Sequence, residues 1–211
     1  MRKPDNSLPA QIELVAGAPE TGKSTEVIKR LKGERDVLVW DYKNEYHDVP
    51  GFIVTYDIAE FVRLARGPGR VAFHGSPDPD LFEFVCRVVW ERGSCRFVAE
   101  ELSAVTRQGK AAAAWHRITT AGRGYGIRPL GVTQRVAEID KTLVGCLSSI
   151  HTRRLNTEAD RVAMAKLLDV PAADVAALTG YQWIERNMRT GKVTYSTKPQ
   201  AVRAGNPRRK R

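Results

Sequence analysis

The 211-residue chain carries 34 Lys and Arg against 24 Asp and Glu, a formal charge of +10, with hydrophobic residues at 42%. That length allows one domain with a sizeable core, and the basic balance suits a polyanionic partner as well as plain solubility. Cys86, Cys95 and Cys146 are odd in number and lack metal-ligand spacing, and they read as free, buried or partly buried thiols in a reducing compartment.

Residues 1–10 read as a polar lead-in without an apolar signal core. No run approaches membrane-spanning length, so a cytoplasmic protein with no transmembrane segment is expected. Residues 11–198 read as a single domain, and residues 199–211, ending Asn206-Pro207-Arg208-Arg209-Lys210-Arg211, as a basic, disordered tail. A strand is expected over Ile12–Ala16, then a glycine-rich loop and a helix from near Lys23 to Leu31. A second strand spans Asp36–Asp41 and leads into Tyr42-Lys43-Asn44-Glu45-Tyr46. Phe52–Tyr56 reads as a short strand, with Asp57 as the N-cap of a helix over Ile58–Arg66.

Gly67-Pro68-Gly69 breaks that helix before a strand at Arg70–His74. Ser76-Pro77-Asp78-Pro79-Asp80 opens a helix to about Arg92, with Leu81, Phe84, Val85, Val88 and Val89 at helical spacing. Cys95–Ala99 is the next strand, meeting Glu100 and Glu101. A helix over Lys110–Ala121 ends at Gly122-Arg123-Gly124-Tyr125-Gly126, and Arg128–Thr133 is a strand closed by Gln134. Residues 138–149 read as helical and Ile150–Leu155 as a strand. Asn156–Asp160 caps a helix to Leu168, and Pro171–Leu178 is a short helix. Trp183–Met188 and Lys192–Ser196 form a terminal hairpin.

Alternating short apolar strands and helices imply an α/β fold, a mainly parallel sheet sandwiched between helices. The acid-bearing strand follows the glycine-rich loop by roughly 75 residues, with three other candidate strands between them. That leaves room for an additional strand between the loop-bearing and acid-bearing strands, as in RecA-like P-loop nucleotidases.

Gly17 to Ser24 (Gly17-Ala18-Pro19-Glu20-Thr21-Gly22-Lys23-Ser24) matches G-x-x-x-x-G-K-[ST], and Thr25 continues into the helix. The glycines let successive N–H groups point at phosphate oxygens. Lys23 reaches the β- and γ-phosphates of ATP, the Ser24 hydroxyl ligates Mg²⁺, and the helix dipole lies under the anion. A strand before the loop and a helix after it make this a nucleoside triphosphate site rather than a chance glycine turn.

Hydrolysis needs an acid in the Mg²⁺ shell and a base that orients water. Glu100 and Glu101 supply the pair at a strand's carboxyl end, where α/β ligands bind: Glu100 toward Mg²⁺, Glu101 toward water. A solvated acidic turn is the alternative. Gln134 stands where an amide senses γ-phosphate, although a surface glutamine reads equally well. Arg123, in its glycine-flanked turn, suits either a guanidinium presented to a neighbouring subunit's transferring phosphoryl group or a helix C-terminal arginine favoured by the dipole.

In order, Gly17–Ser24, Val39–Tyr46, Glu100-Glu101, Gly122–Gly126 and Val132-Thr133-Gln134-Arg135 resemble the FtsK–HerA superfamily of DNA-pumping ATPases, over roughly residues 12–170. The short chain resembles in particular the genome-packaging ATPases of tectivirus-like, membrane-containing double-stranded DNA viruses. The resemblance implies an ATP-hydrolysing motor with a catalytic glutamate, Mg²⁺ as cofactor, double-stranded DNA as partner and a homo-oligomeric ring, hexamer or pentamer. It also implies capsid vertex or portal proteins as further partners, and the host cytoplasm or the virion packaging vertex as location. Arg123 is implied as a finger into the adjacent site and Gln134 as the γ-phosphate sensor; Glu100 departs from the usual Asp. The competing readings are a plasmid or cellular translocase, a nucleotide-regulated DNA-binding module and, more remotely, a small-molecule kinase, for which no arginine-rich lid is evident.

Overall fold

The computed structural model describes residues 3–106 and 112–197. The expected tail over 199–211 and the start of the helix expected from Lys110 lie outside them. In chain order the elements are β1 (Glu13–Ala16), α1 (Lys23–Arg30), β2 (Val37–Trp40), β3 (Ile53–Thr55), α2 (Ile58–Ala65), β4 (Arg70–Phe73) and α3 (Pro79–Arg92). There follow β5 (Cys95–Ala99), α4 (Leu102–Val105), α5 (Ala113–Ala121), β6 (Ile127–Thr133), α6 (Lys141–Cys146), β7 (Ser149–Thr152), α7 (Glu158–Leu168), α8 (Ala172–Ala176), β8 (Ile184–Asn187) and β9 (Val193–Tyr195).

The strands form one sheet in the order β3-β4-β2-β5-β6-β1-β7-β8-β9. Pairings from β3 through β7 are parallel; β7–β8 and β8–β9 are antiparallel. The terminal hairpin is therefore no separate appendage. It extends the main sheet, Thr152 facing Ile184 and Ser149 facing Asn187.

Strand residues divide between two cores with the period of two that a pleated strand imposes. Leu14, Leu38, Trp40 and Phe97 face a core containing Phe82, Val85 and Val89 of α3 and Trp115 and Ile118 of α5. Val15, Val37, Val39, Val98 and Val132 face the other way, onto Val27 of α1 and Leu31. All of β2 and all of β5 are buried, as parallel strands covered on both faces must be.

The inserted strand between β1 and β5 is β6, which follows the acid-bearing strand in sequence instead of preceding it. Its Pro129 is paired with Phe97 of β5, one residue before pairing with β1 begins at Leu130. A residue without an N–H is thus placed where β6 does not yet have strands on both sides.

Several local expectations hold because side chains satisfy helix ends. Asp57 Oδ1 accepts from Ala59 N at 2.7 Å, Asp78 Oδ1 from Asp80 N at 2.9 Å, and Thr157 Oγ1 from Asp160 N at 3.1 Å. Others shift. The buried face of α3 is Phe82, Val85, Cys86 and Val89, while Phe84 is exposed. Phe82 turns inward because Trp40 and Trp115 hold its ring, with centroids at 5.4 and 5.6 Å. The helix expected over 138–149 shrinks to α6. Asp140 caps it by accepting from Leu143 N at 2.8 Å, and Ser148 binds the Ile12 backbone, which draws the chain into β7.

Candidate functional site

The phosphate loop hangs between the ends of three parallel strands. It leaves β1, Gly17 N donates to Thr133 O at the end of β6 (3.2 Å), and Ala18 N donates to Arg154 O just beyond β7 (2.8 Å). Thr21 Oγ1 closes the loop on Ala18 O at 2.8 Å. Glu20 and Gly22 adopt left-handed conformations, φ 60° and 82°, which glycine adopts without cost at position 22. Lys23, buried, then begins α1 with its charge at the positive end of the helix dipole, an arrangement that calls for an anion.

A cleft of about 340 Å³ opens over the loop, lined by Pro19, Gly22, Lys23, Ser24 and Thr25 and, across from them, by Lys43, Glu45 and Gln134. The structure thus brings Gln134, at the carboxyl end of β6, to the phosphate loop. The turn after β2 reaches the same cleft because Asp41 organises it. Its fully buried carboxylate accepts from Glu45 N (2.8 Å) and Tyr46 N (3.1 Å). This aims Glu45 at the loop, where Ser24 Oγ donates to its Oε2 at 2.5 Å.

Glu100 and Glu101 end β5 as expected, but in different settings. Glu100 is buried and accepts from the Tyr46 hydroxyl at 3.0 Å. Burial pushes its pKa up to about 7 against the pull of Lys23, with the Glu45 charge raising it further. Glu101 is held at φ 48°, a left-handed backbone that is costly for a side-chain-bearing residue. Its Oε2 pairs with Lys43 Nζ at 2.8 Å, while its buried Oε1 has no hydrogen-bond partner among the described residues. A buried orphan acceptor on a carboxylate beside a phosphate cleft is suited to hold a water. The hydroxyl of Ser24 and the carboxylates of Glu45 and Glu100 are hard oxygen donors, the set that Mg²⁺ prefers.

Arg123 lies elsewhere. It sits in a 3₁₀ turn, Gly122–Tyr125, that precedes β6, and its Nη2 donates to Asn6 O at 3.4 Å on the surface. Gln134 follows the last residue of β6, so the seven-residue strand separates the two. At about 3.3 Å per residue that is more than 20 Å, beyond the reach of an arginine side chain. The structure does not bring Arg123 to its own chain's cleft.

Lys43, Glu45 and Tyr46 lie in the stretch Val39–Tyr46 but carry no site role in the sequence pattern; their convergence on the loop depends on Asp41. Arg153, just past β7, carried no sequence signal. It is buried, donates from Nη1 to Thr21 O and Tyr181 O, both at 3.0 Å, and its Nη2 lies 3.6 Å from Glu26 Oε2. Glu26, His151 and Glu185 have ligand atoms within 4.8 Å of one another. Arg30 already engages both carboxylates, at 3.0 Å for Glu26 and through Nη2 for Glu185, so this group reads as an ionic brace beneath α1.

A nucleotide-binding loop on β1, an acid pair on β5 and an additional strand between them ending in a polar amide define a P-loop NTPase fold of the additional-strand kind. No family model matches the chain. It is 31% identical over 188 residues, 84% of each chain, to protein P9 of Pseudoalteromonas phage PM2, and it belongs to the family of that protein.

Among solved structures it is similar to the genome packaging NTPase B204 of Sulfolobus turreted icosahedral virus 2 in complex with AMPPCP. The TM-score is 0.75 at 15% identity, covering 91% of this chain and 99% of that one. B204 described as the DNA-packaging ATPase of Sulfolobus Turreted Icosahedral Virus gives a TM-score of 0.70 at 16% identity, with the same coverage. VirB4 of Thermoanaerobacter pseudethanolicus gives 0.57 at 10% identity, covering 90% of each chain. These likenesses bear out the α/β P-loop fold, a mainly parallel sheet flanked by helices, expected from the motifs. Among the described residues no helix is long and apolar enough to cross a membrane.

Proposed function

We propose that the chain is an ATP-hydrolysing motor that packages double-stranded DNA into a preformed capsid, working as a homo-oligomeric ring. The observation that carries the reading is the cleft over the phosphate loop, lined by Lys23, Ser24, Lys43, Glu45 and Gln134, with the Glu101 carboxylate on its flank, paired with Lys43. A binding module needs a phosphate cradle; it does not need a strained, buried glutamate with a free oxygen beside that cradle. B204, which shares the fold, is described as a genome packaging NTPase and was solved with AMPPCP.

In this reading the backbone of Gly17–Ser24 and the Lys23 ammonium hold the β- and γ-phosphates. Ser24, with Glu45 and Glu100 behind it, would hold Mg²⁺, which neutralises charge on the β- and γ-oxygens. Glu101 orients the attacking water and accepts its proton as the phosphoryl group leaves. Gln134 reads the γ-phosphate from the end of β6. Arg123 faces away from its own cleft, and in a ring it supplies the neighbouring site with a guanidinium for the charge that develops during transfer. The excess of basic residues provides a sequence-independent grip on the DNA backbone. Capsid vertex proteins are the further partners, at the host cytoplasm and the packaging vertex.

The test is ATP-driven displacement of a third strand from duplex DNA, compared between wild type and Lys23→Ala. The wild type should hydrolyse ATP faster with duplex DNA present and displace the third strand only while ATP is consumed. DNA-independent hydrolysis without displacement would refute the motor. Full turnover by a folded Lys23→Ala would refute the site.

A further inference from the structure

We propose that Tyr181 is the platform on which the purine ring of the bound nucleotide stacks; this rests on the reading of the phosphate loop as a nucleoside triphosphate site.

Tyr181 is 74% exposed, a large apolar ring left open to solvent, yet it is held against the phosphate loop. A Cβ built on Gly22 would lie 3.0 Å from Tyr181 Cδ1 and 3.4 Å from Cε1. The hold is specific: Arg153 Nη1 donates to Thr21 O inside the loop and to Tyr181 O, both at 3.0 Å. One buried guanidinium therefore fixes the backbone of the loop and the backbone of Tyr181 relative to each other, and Glu26 of α1 steadies that guanidinium at 3.6 Å.

The direction of the triphosphate across the loop decides which side the base takes. β1 lies between β6 and β7 in the sheet. Apart from Lys23 and Ser24 of the loop itself, the groups given above to the γ-phosphate and its hydrolysis come from the β6 side: Gln134 after β6, Glu100 and Glu101 after β5, Lys43 and Glu45 after β2. The β7 side carries Arg153 after β7 and Tyr181 before β8. A triphosphate with its γ end among the acids must send its α-phosphate, ribose and base toward β7 and β8. The open ring of Tyr181 stands on that flank beside the loop's last glycine. An exposed aromatic face of this kind is sequence-tolerant, because every base offers a π-face, and its worth grows with base area. The platform should therefore favour purines over pyrimidines without distinguishing adenine from guanine.

The experiment is calorimetric binding of ADP and, separately, of inorganic tripolyphosphate to the full chain as wild type, Tyr181→Ala and Tyr181→Phe. Because the ring is exposed, both variants should fold as the wild type does. Tyr181→Ala should weaken ADP binding by about 5-fold to 150-fold, the range of base–aromatic stacking, and leave tripolyphosphate within about 2-fold; Tyr181→Phe should keep both. ADP affinity unchanged in Tyr181→Ala would overturn the platform, and loss of self-association in that variant would then assign the ring to a subunit interface. ADP and tripolyphosphate weakened by the same factor would also overturn it, making the ring a support of the loop. A wild type that binds neither ligand would overturn the nucleotide site itself.

Discussion

Glu101→Gln separates chemistry from binding at this site. The substitution keeps the side-chain volume and the left-handed backbone at φ 48° but removes the charge that pairs with Lys43 at 2.8 Å. Two consequences follow from the geometry. The oxygen without a partner loses most of its basicity, so turnover should fall by about 10²-fold to 10⁴-fold, the usual worth of a positioned general base. Lys43, which lines the phosphate cleft, is released from its partner at the same time. That pair is partly exposed, with 34% of the lysine side chain accessible, so its loss is worth at most about 1 kcal/mol. If the released ammonium turns to the phosphates, ATP should bind as tightly as in wild type or up to about 5-fold more tightly. Phosphate release under saturating ATP gives the first quantity, and titration with a non-hydrolysable ATP analogue gives the second. Turnover and affinity falling together would refute the assignment and make Glu101 a metal-shell or structural group. Tighter binding that survives in the Lys43→Ala, Glu101→Gln double variant would refute the part given to Lys43.

Arg123→Ala should bind nucleotide normally and hydrolyse it roughly 10³-fold more slowly. Mixed with Lys23→Ala it should regain activity at interfaces that join an intact loop to an intact finger; co-assembled variants without such rescue would leave Arg123 a surface residue. Glu100 gives a pH signature in protein free of metal and nucleotide. Its folded pKa of about 7 lies above the ordinary 4.5, so its contribution is fully favourable below 4.5 and is lost as pH rises through 7. The Tm of wild type should therefore drop relative to Glu100→Gln between pH 5 and pH 8, and a gap that stays constant with pH would refute the burial argument. Duplex binding should weaken steeply with salt and hardly depend on sequence; salt-insensitive binding would point to a protein partner for the basic surface.

What the sequence determined by itself lies where short-range rules suffice. The glycine spacing from Gly17 to Ser24 is legible because a phosphate cradle is built from consecutive backbone groups. The caps at Asp57, Asp78 and Thr157 are legible because each side chain satisfies N–H groups two or three residues on. The acid pair at the end of β5 and the amide after β6 are legible because a mostly apolar strand that stops at a polar residue marks its carboxyl end, which is where this class of sheet binds ligands.

Tertiary structure decided the rest, since strand order and loop contacts depend on partners far apart in the chain. No local signal places β6 between β1 and β5. Its position follows from packing of β6 and α5 on the sheet, and that position puts Gln134 at the phosphate loop and Arg123 at the opposite end of the same strand. Tyr46 meets Glu100 across 54 positions, and Arg153 meets Thr21 across 132. Burial, not residue type, then makes Glu100 and Glu101 different acids: one is closed in beneath a tyrosine, while the other keeps an oxygen unsatisfied beside the cleft.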